Sequence, residues 1–115
     1  MFSSLPIAGP GPIDLDHLDR NTLGNPSLAR EVLGLFAEQL TGVMGRLATL
    51  PADAGALAHT LKGSAQAIGA FDVAKAAAAL ELAIHDGRAP TQALADLDAA
   101  VTAARAAVEE MLRQP

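Results

Sequence analysis

The sequence contains no cysteine, tryptophan or tyrosine, and only three phenylalanines. Without cysteine the chain cannot form a disulfide, a thiolate metal site or a cysteine nucleophile. Few aromatic residues together with many alanines and leucines favour helix over sheet. No apolar run approaches the roughly 18 residues that span a bilayer, and no basic, signal-like segment opens the chain. We therefore expect a cytoplasmic protein without a membrane partner.

Positive charge is also scarce, with 8 Lys and Arg against 13 Asp and Glu and a formal net charge of −5. An acidic balance argues against a nucleic-acid partner, which requires a basic surface. The 115 residues correspond to one domain. They include no Gly-x-x-x-x-Gly-Lys phosphate loop and leave no room for an ATP-binding kinase domain. The three histidines lack the spacing of zinc ligands, so we predict no metal site.

Proline and glycine mark the first division of the chain. Residues 1–12 hold three prolines and two glycines and predict a flexible leader. A single domain then covers residues 13–113. Its first element is a short helix from Ile13 to Thr22, with Ile13, Leu15 and Leu18 as its apolar residues.

Four longer helices are predicted after this short one. Asn25 is an N-cap followed by proline, and a helix of about six turns runs from there to residues 50–51. The next runs from residue 52 or 53 to Gly69, and the fourth from Asp72, a candidate N-cap, to Gly87. The last follows Pro90. Short connections between amphipathic helices predict an all-α, up-down antiparallel four-helix bundle with the short N-terminal helix packed on it.

The third of the predicted helices places a histidine opposite its apolar face. If His59 is set at zero and each residue advances about 100 degrees, Leu57, Leu61 and Ile68 fall near 160, 200 and 180 degrees. Those three residues must face the core. His59 must therefore face water, in the middle of a helix.

Small residues surround this histidine. Gly63 lies on the same exposed face, although glycine in a helix interior costs about 1 kcal/mol relative to alanine. A side chain there would obstruct another molecule that approaches closely. The neighbouring alanines predict a flat docking surface; they are Ala52, Ala56, Ala67 and Ala70.

The exposed face also carries an unbalanced positive charge. Between Ala54 and Phe71 there is no Asp or Glu, and Lys62 is the one fully charged residue. Residues three apart are neighbours on a helix, so the Lys62 ammonium can reach a phosphoryl group on His59. Gln66 could hydrogen-bond nearby. An exposed imidazole is largely neutral near pH 7 and can attack phosphorus, and phosphoryl transfer depends mainly on positioning and charge stabilisation.

The segment from Ala58 to Ala70, AHTLKGSAQAIGA, followed by Leu80-Glu81, closely resembles the phosphohistidine helix of histidine-containing phosphotransfer (Hpt) domains. The specific core is His-x-x-Lys-Gly, with Gly69 six residues after Gly63. The number and spacing of the helices agree in outline over about residues 13–113, but the specific motif is confined to residues 58–81.

The resemblance implies a monomeric bundle that accepts a phosphoryl group from a receiver-domain aspartate and passes it to another receiver domain. The partners would be receiver domains of hybrid histidine kinases and response regulators. His59 would be the phosphoacceptor, Lys62 would stabilise the phosphoryl charge, and Gly63 would let the receiver approach. The chain would be a carrier without a cofactor of its own, and the receiver domain would supply magnesium.

Two other functions fit the sequence. One is a phosphorylation-independent adaptor that binds a signalling partner through its helical face. The other is a hydrolase that uses His59, although no second catalytic group converges on it. The remaining candidates have ordinary explanations: His17 and His85 are expected to be surface histidines, and Glu81 is expected to support the bundle rather than the chemistry.

Overall fold

The computed structural model describes residues 11–114, which form five helices and no strand. The helices are α1 (Leu15–Asn21), α2 (Pro26–Leu47), α3 (Ala54–Ile68), α4 (Phe71–His85) and α5 (Thr91–Arg113). Residues 1–10 of the predicted leader lie outside the described residues. Within the described part of the chain, no helix is both long enough and apolar enough to cross a membrane.

The four long helices close into a ring in which each packs against its neighbours along the chain. α2 packs on α3, α3 on α4, α4 on α5, and α5 returns to α2, while α1 lies across α2 and α3. The antiparallel direction of α2 and α5 is visible at one end, where the Arg30 guanidinium donates to the carbonyl oxygens of Leu112 at 2.6 Å and Gln114 at 3.1 Å. The predicted up-down four-helix bundle is confirmed.

The helix starts agree with the sequence at α2 and differ at α4. The Asn25 side chain accepts hydrogen bonds from the backbone N–H groups of Ser27 and Leu28, as an N-cap does. The prediction that Asp72 caps α4 is wrong, because α4 begins at Phe71 and Asp72 lies inside its first turn. There a carboxylate still favours the helix, through the partial positive charge of the N-terminus.

Gly69 ends α3 in a conformation that other residues rarely adopt. Its φ is 88°, and a Cβ atom at this position would lie 2.9 Å from the backbone oxygen of Asp14. Its carbonyl oxygen accepts a hydrogen bond from the Asp14 N–H at 2.9 Å. The left-handed C-terminus and the close approach of the segment before α1 both require glycine here.

The core consists of small and medium apolar side chains from all five helices and from Ile13, which precedes α1. Two predicted apolar positions point elsewhere. Leu15 opens α1 and is exposed, since the helix begins two residues later than predicted. On α2, the three- and four-residue steps of the sequence place Leu35 on the apolar face, but Leu35 is 61% exposed and Leu33 enters the core instead. The three- and four-residue steps identified the helix but not which of two leucines, two positions apart, faces inward.

Candidate functional site

α3 holds His59 on the side of the helix that faces away from the core. The buried residues of α3 recur at three- and four-residue steps; they are Ala54, Ala58, Leu61, Ala65 and Ile68. The His59 side chain is 65% exposed. The predicted outward orientation of this imidazole is therefore confirmed. Leu57, predicted to face the core, is half-buried because the true core direction lies nearer to Ala58.

A carboxylate from α4 joins His59 to Lys62. One oxygen of Glu81, Oε2, lies 2.8 Å from His59 Nδ1. The other oxygen, Oε1, accepts a hydrogen bond of 3.1 Å from Lys62 Nζ. Glu81 thus contacts both functional candidates of α3 at once, and each of its oxygens has a separate partner.

The charge state of Glu81 follows from these contacts. The hydrogen bond from the Lys62 ammonium lowers the pKa of Glu81 below its ordinary value of 4.5, and the His59 contact lowers it further, while partial burial opposes both. The group is therefore a carboxylate at neutral pH. An ionised carboxylate only accepts hydrogen bonds, so the proton of the His59–Glu81 hydrogen bond belongs to Nδ1.

Sequence reasoning missed this role and assigned Glu81 to support of the bundle. Leu80-Glu81 belongs to the sequence that resembles Hpt domains, but the periodicity of α4 does not show which residue of α3 Glu81 contacts. That contact depends on how far two antiparallel helices are shifted relative to each other. Glu81 supports the packing of α3 on α4 and also orients the imidazole.

Lys62 lies closer to the core than predicted. Its side chain is 28% exposed, and its ammonium is held by Glu81 rather than extended into water. The ammonium has three N–H donors, and one of them is directed at Glu81 Oε1. The remaining donors are compatible with a phosphoryl group bound to the neighbouring His59 ring.

The surface next to His59 is open above Gly63. In the described part of the chain, and apart from the two adjacent residues and the backbone of the same helix, no atom lies within 4 Å of a Cβ atom built on Gly63. A packing requirement of the bundle therefore does not explain this glycine. Gln66 is exposed on the same face.

The predicted docking alanines divide into two groups. Ala56 and Ala67 are exposed, as expected. The expectation for Ala70 is wrong, because it is fully buried. The prediction for Ala70 assumes that the helix continues to residue 70. In the structure, α3 ends at Ile68 and the chain turns at Gly69. After that turn, Ala70 precedes α4 and points into the core.

An apolar groove of about 510 Å³ adjoins this face on its α2 side. Leu35 stands at the groove, and Gln39 donates a hydrogen bond of 2.9 Å to Ser64 Oγ across it. The residues that line it come from α1, the turn after α1, α2 and α3; they are Leu18, Asn21, Thr22, Val32, Leu35, Phe36, Gln39, Ser64, Ala67 and Ile68. Ala67 belongs to both surfaces, so the groove is continuous with the His59 face.

The histidine of α1 has a structural role. Asn21 donates to the Ala67 carbonyl oxygen at 2.7 Å, and its same amide nitrogen lies 2.8 Å from His17 Nε2. The His17 ring also meets the Phe71 ring edge to face, with 5.1 Å between centroids. These contacts fasten α1 to the ends of α3 and α4. Among the described residues, no group of three or more potential ligands could hold a metal ion.

A family model and a solved structure are similar to this chain. The sequence model of the Hpt domain family matches residues 29–114. A solved structure of a rice protein, described as a histidine-containing phosphotransfer protein, has a TM-score of 0.78 and is 22% identical over 90% of this chain and 81% of its own. At that identity the likeness supports the fold alone. The comparison with curated proteins finds no match.

Proposed function

This chain belongs to the Hpt domain family, and we propose that it carries a phosphoryl group on His59 between receiver domains of a phosphorelay. Domains of this family are phosphotransfer carriers rather than kinases. The observation that carries the proposal is the exposed His59 ring with Glu81 bound to its Nδ1. The cytoplasmic location and the monomeric state inferred from the sequence stay predictions.

The His59–Glu81 contact prepares one ring nitrogen for attack. Because Nδ1–H of His59 donates its hydrogen bond to the Glu81 carboxylate, Nε2 of the neutral ring carries the lone pair. A neutral imidazole has one donor and one acceptor nitrogen, and the partner of one decides the role of the other. Nε2 is therefore the nucleophile. Glu81 also stabilises the positive charge that develops on the ring during attack.

The transfer step balances without another co-reactant. Nε2 of His59 forms a bond to the phosphorus of a receiver aspartyl phosphate, and the bond from phosphorus to the aspartate oxygen breaks. The aspartate leaves as a carboxylate, while the Nδ1 proton stays on the ring. In the return direction an acceptor carboxylate attacks phosphorus, the N–P bond breaks, and neutral His59 is restored.

Charge on the phosphoryl oxygens would be offset from two sides. Lys62 stands one turn after His59 and would donate to these oxygens while it remains bound to Glu81. The receiver domain would supply the divalent metal ion, because this chain is expected to have no cofactor of its own. Such positioning and electrostatic stabilisation account for most of the catalysis in phosphoryl transfer.

Docking would use the open surface around His59. Gly63 allows close approach, Ala56 and Ala67 keep the flanks flat, and Gln66 offers a polar contact. The apolar groove beside α2 extends this surface. Its 61% exposed Leu35 gives a receiver an apolar contact on the part of this surface that lies beside α2. Apolar area that a partner removes from water contributes to the free energy of binding.

The direct test is uptake of labelled phosphoryl. The protein is mixed with a panel of phosphorylated receiver domains, and initial rates of transfer are compared. We expect acid-labile, alkali-stable label on wild type and none on His59→Gln, with His17→Gln as a control that keeps the acceptor. Equal uptake by wild type and His59→Gln would overturn the assignment of His59.

A second test separates docking from chemistry. Gly63→Glu introduces bulk and a negative charge beside the reactive ring and should weaken receiver binding. Gly45→Glu is the matched control, because Gly45 is also exposed in a helix, with no described heavy atom within 4 Å of a built Cβ. Gly45 belongs to α2 and lines neither the groove beside α2 nor the groove that contains His59. Equal transfer by both variants would remove Gly63 from the docking surface.

The same assay distinguishes the adaptor hypothesis. An adaptor would bind its partner with unchanged affinity after His59→Ala and would accept no phosphoryl group. Binding measured beside transfer therefore assigns the surface to one function or the other.

A further inference from the structure

A second imidazole faces the same groove as His59. A groove of about 490 Å³ runs between α3 and α4, and both His59 and His85 line it together with Glu81. His85 is the last residue of α4 and is exposed. The sequence placed these histidines 26 residues apart on different helices, so their shared position is a result of the packing of α4 on α3.

Their separation along the helices is short. Glu81 Oε2 lies 2.8 Å from His59 Nδ1, and His85 is four residues after Glu81 on α4. Residues four apart on a helix are neighbours, about 5–6 Å between Cβ atoms. His85 therefore lies one turn beyond Glu81, toward the end of the bundle where α3 begins.

Two small residues line this groove together with His59 and His85. Gly55 lies one turn before His59 on α3 and lines the groove with Ala56. A Cβ atom added to Gly55 would meet Ile84 Cγ2 at 3.6 Å, so α3 and α4 are in contact here. Because neither Gly55 nor Ala56 has a long side chain, neither fills the groove that His59 and His85 both line.

We propose that His85, in its protonated form, is a second cation that binds the phosphoryl group on His59. The proposal rests on the phosphocarrier function and adds a residue to it. Lys62 would contact the phosphoryl oxygens from the α3 side and His85 from the C-terminal end of α4. The C-terminal end of a helix favours a positive charge, so the position of His85 suits an imidazolium.

The acidic residues near His85 are paired with other residues, which leaves His85 available to bind a phosphoryl group. On its own segment, Glu81 is bound to Lys62 and His59, and Asp86 pairs with Arg88 at 3.4 Å. On the facing end of α3, Asp53 pairs with Arg46 at 2.8 Å. The first turn of α5 carries no acid. The phosphoryl group, which carries between one and two negative charges near neutral pH, would be the new partner.

The consequence is a pH-dependent equilibrium of transfer. A typical imidazole is mainly protonated near about pH 6 and mainly neutral near about pH 8. Because only an imidazolium carries a charge that attracts the phosphoryl group, the stability that His85 gives to phosphorylated His59 should decrease from the lower pH to the higher one. An exposed ion pair of this kind corresponds to about a threefold change in the equilibrium constant.

The test compares wild type, His85→Gln and His85→Lys at both pH values, with a phosphorylated receiver domain as donor. The measured quantity is the ratio of phosphorylated to free carrier at equilibrium, divided by the same ratio for His85→Gln. This quotient cancels the titration of His59 and of the receiver. We expect about threefold for wild type at the lower pH and about one at the higher pH. His85→Lys, which keeps its charge, should stay near threefold at both.

The outcomes separate the two proposals. If wild type takes up label and its quotient is one at both pH values, His85 does not bind the phosphoryl group and the carrier function stands. If wild type takes up no label from any receiver domain, the carrier function is overturned, and this inference with it. The control His17→Gln removes a histidine outside the groove and should keep the pH dependence of wild type.

Discussion

The two sides of α3 use similar residues for opposite purposes. On the core side, alanines alternate with larger apolar residues, and Ala58, Leu61 and Ala65 are fully buried. On the outer side, Ala56 and Gly63 are also small, but they leave open space beside an exposed imidazole. Small residues thus permit close helix packing on one side and close approach of another protein on the other. Stability and reactivity are therefore separated across a single helix.

The largest effect should come from the core side. Leu61→Ala removes a fully buried side chain and should lower the free energy of unfolding by about 2–5 kcal/mol. Chemical denaturation measures this change. Leu82→Ala, at an exposed leucine of α4, is the control and should cost under about 1 kcal/mol. At temperatures where Leu61→Ala remains folded, it should still accept phosphoryl; loss of uptake in folded protein would contradict the separation.

The next effect concerns the glycine at the end of α3. Gly69→Ala forces a Cβ against the Asp14 backbone at positive φ and should cost about 1–3 kcal/mol of stability. Thermal unfolding provides the measurement. An unchanged melting temperature would show that the segment before α1 gives way, and that α1 does not depend on this contact.

Glu81 tests the separation of the two sides of α3, because it lies on α4 and belongs to neither side. Glu81→Ala leaves Nδ1 without its acceptor and should slow transfer about tenfold or more, the effect expected from losing a hydrogen bond to a charged group. Glu81→Gln keeps an acceptor for Nδ1 and should recover part of the rate. Single-turnover kinetics at saturating receiver isolates the chemical step.

The control for Glu81 is Glu109→Gln, an exposed acid on α5. A merely structural role would change stability and leave the saturated rate of the folded protein intact. Such a result for Glu81→Ala would exclude Glu81 as a positioning residue.

On the outer side of α3, replacing a glycine should stabilise the protein, whereas Gly69→Ala should destabilise it. The Cβ of Gly63→Ala would meet no described atom of another helix within 4 Å, and the substitution should stabilise the helix by about 0.5–1 kcal/mol. Transfer should fall only slightly, since a methyl group is small, whereas Gly63→Leu should obstruct docking. Denaturation and transfer assays on the same samples would show both effects. A destabilised Gly63→Ala would mean that this glycine serves the fold.

The smallest effect is a dependence of stability on pH. Since the pKa of Glu81 is lowered in the folded protein, chiefly by Lys62, its contribution is present above the ordinary value and is lost as pH falls through the lowered one. The stability difference between wild type and Glu81→Gln should therefore shrink between neutral pH and about pH 3. Denaturation at a series of pH values measures it; a difference that grows toward acid would refute the lowered pKa.

Several features followed from the sequence because they depend on local interactions. The N-cap at Asn25, the end of α3 at Gly69 and the outward face of His59 each depend on residues within a few turns. Periodicity along one helix is enough to separate its faces. The number of helices and the bundle follow from the same local rules and short connections.

Other features could be decided only by tertiary structure. Whether Leu33 or Leu35 enters the core depends on where neighbouring helices lie, and Ala70 is buried because the chain turns after Gly69. Burial of this kind is set by the whole bundle rather than by spacing along one helix.

The site divides in the same way. The sequence alone determined that an imidazole and a lysine share the outer region of α3, since both positions are fixed by one helix. Only the packing of α4 on α3 brought Glu81 to 2.8 Å from His59 Nδ1 and placed His85 in the same groove. Contacts between helices depend on their relative shift and rotation, which the periodicity of either helix leaves undetermined.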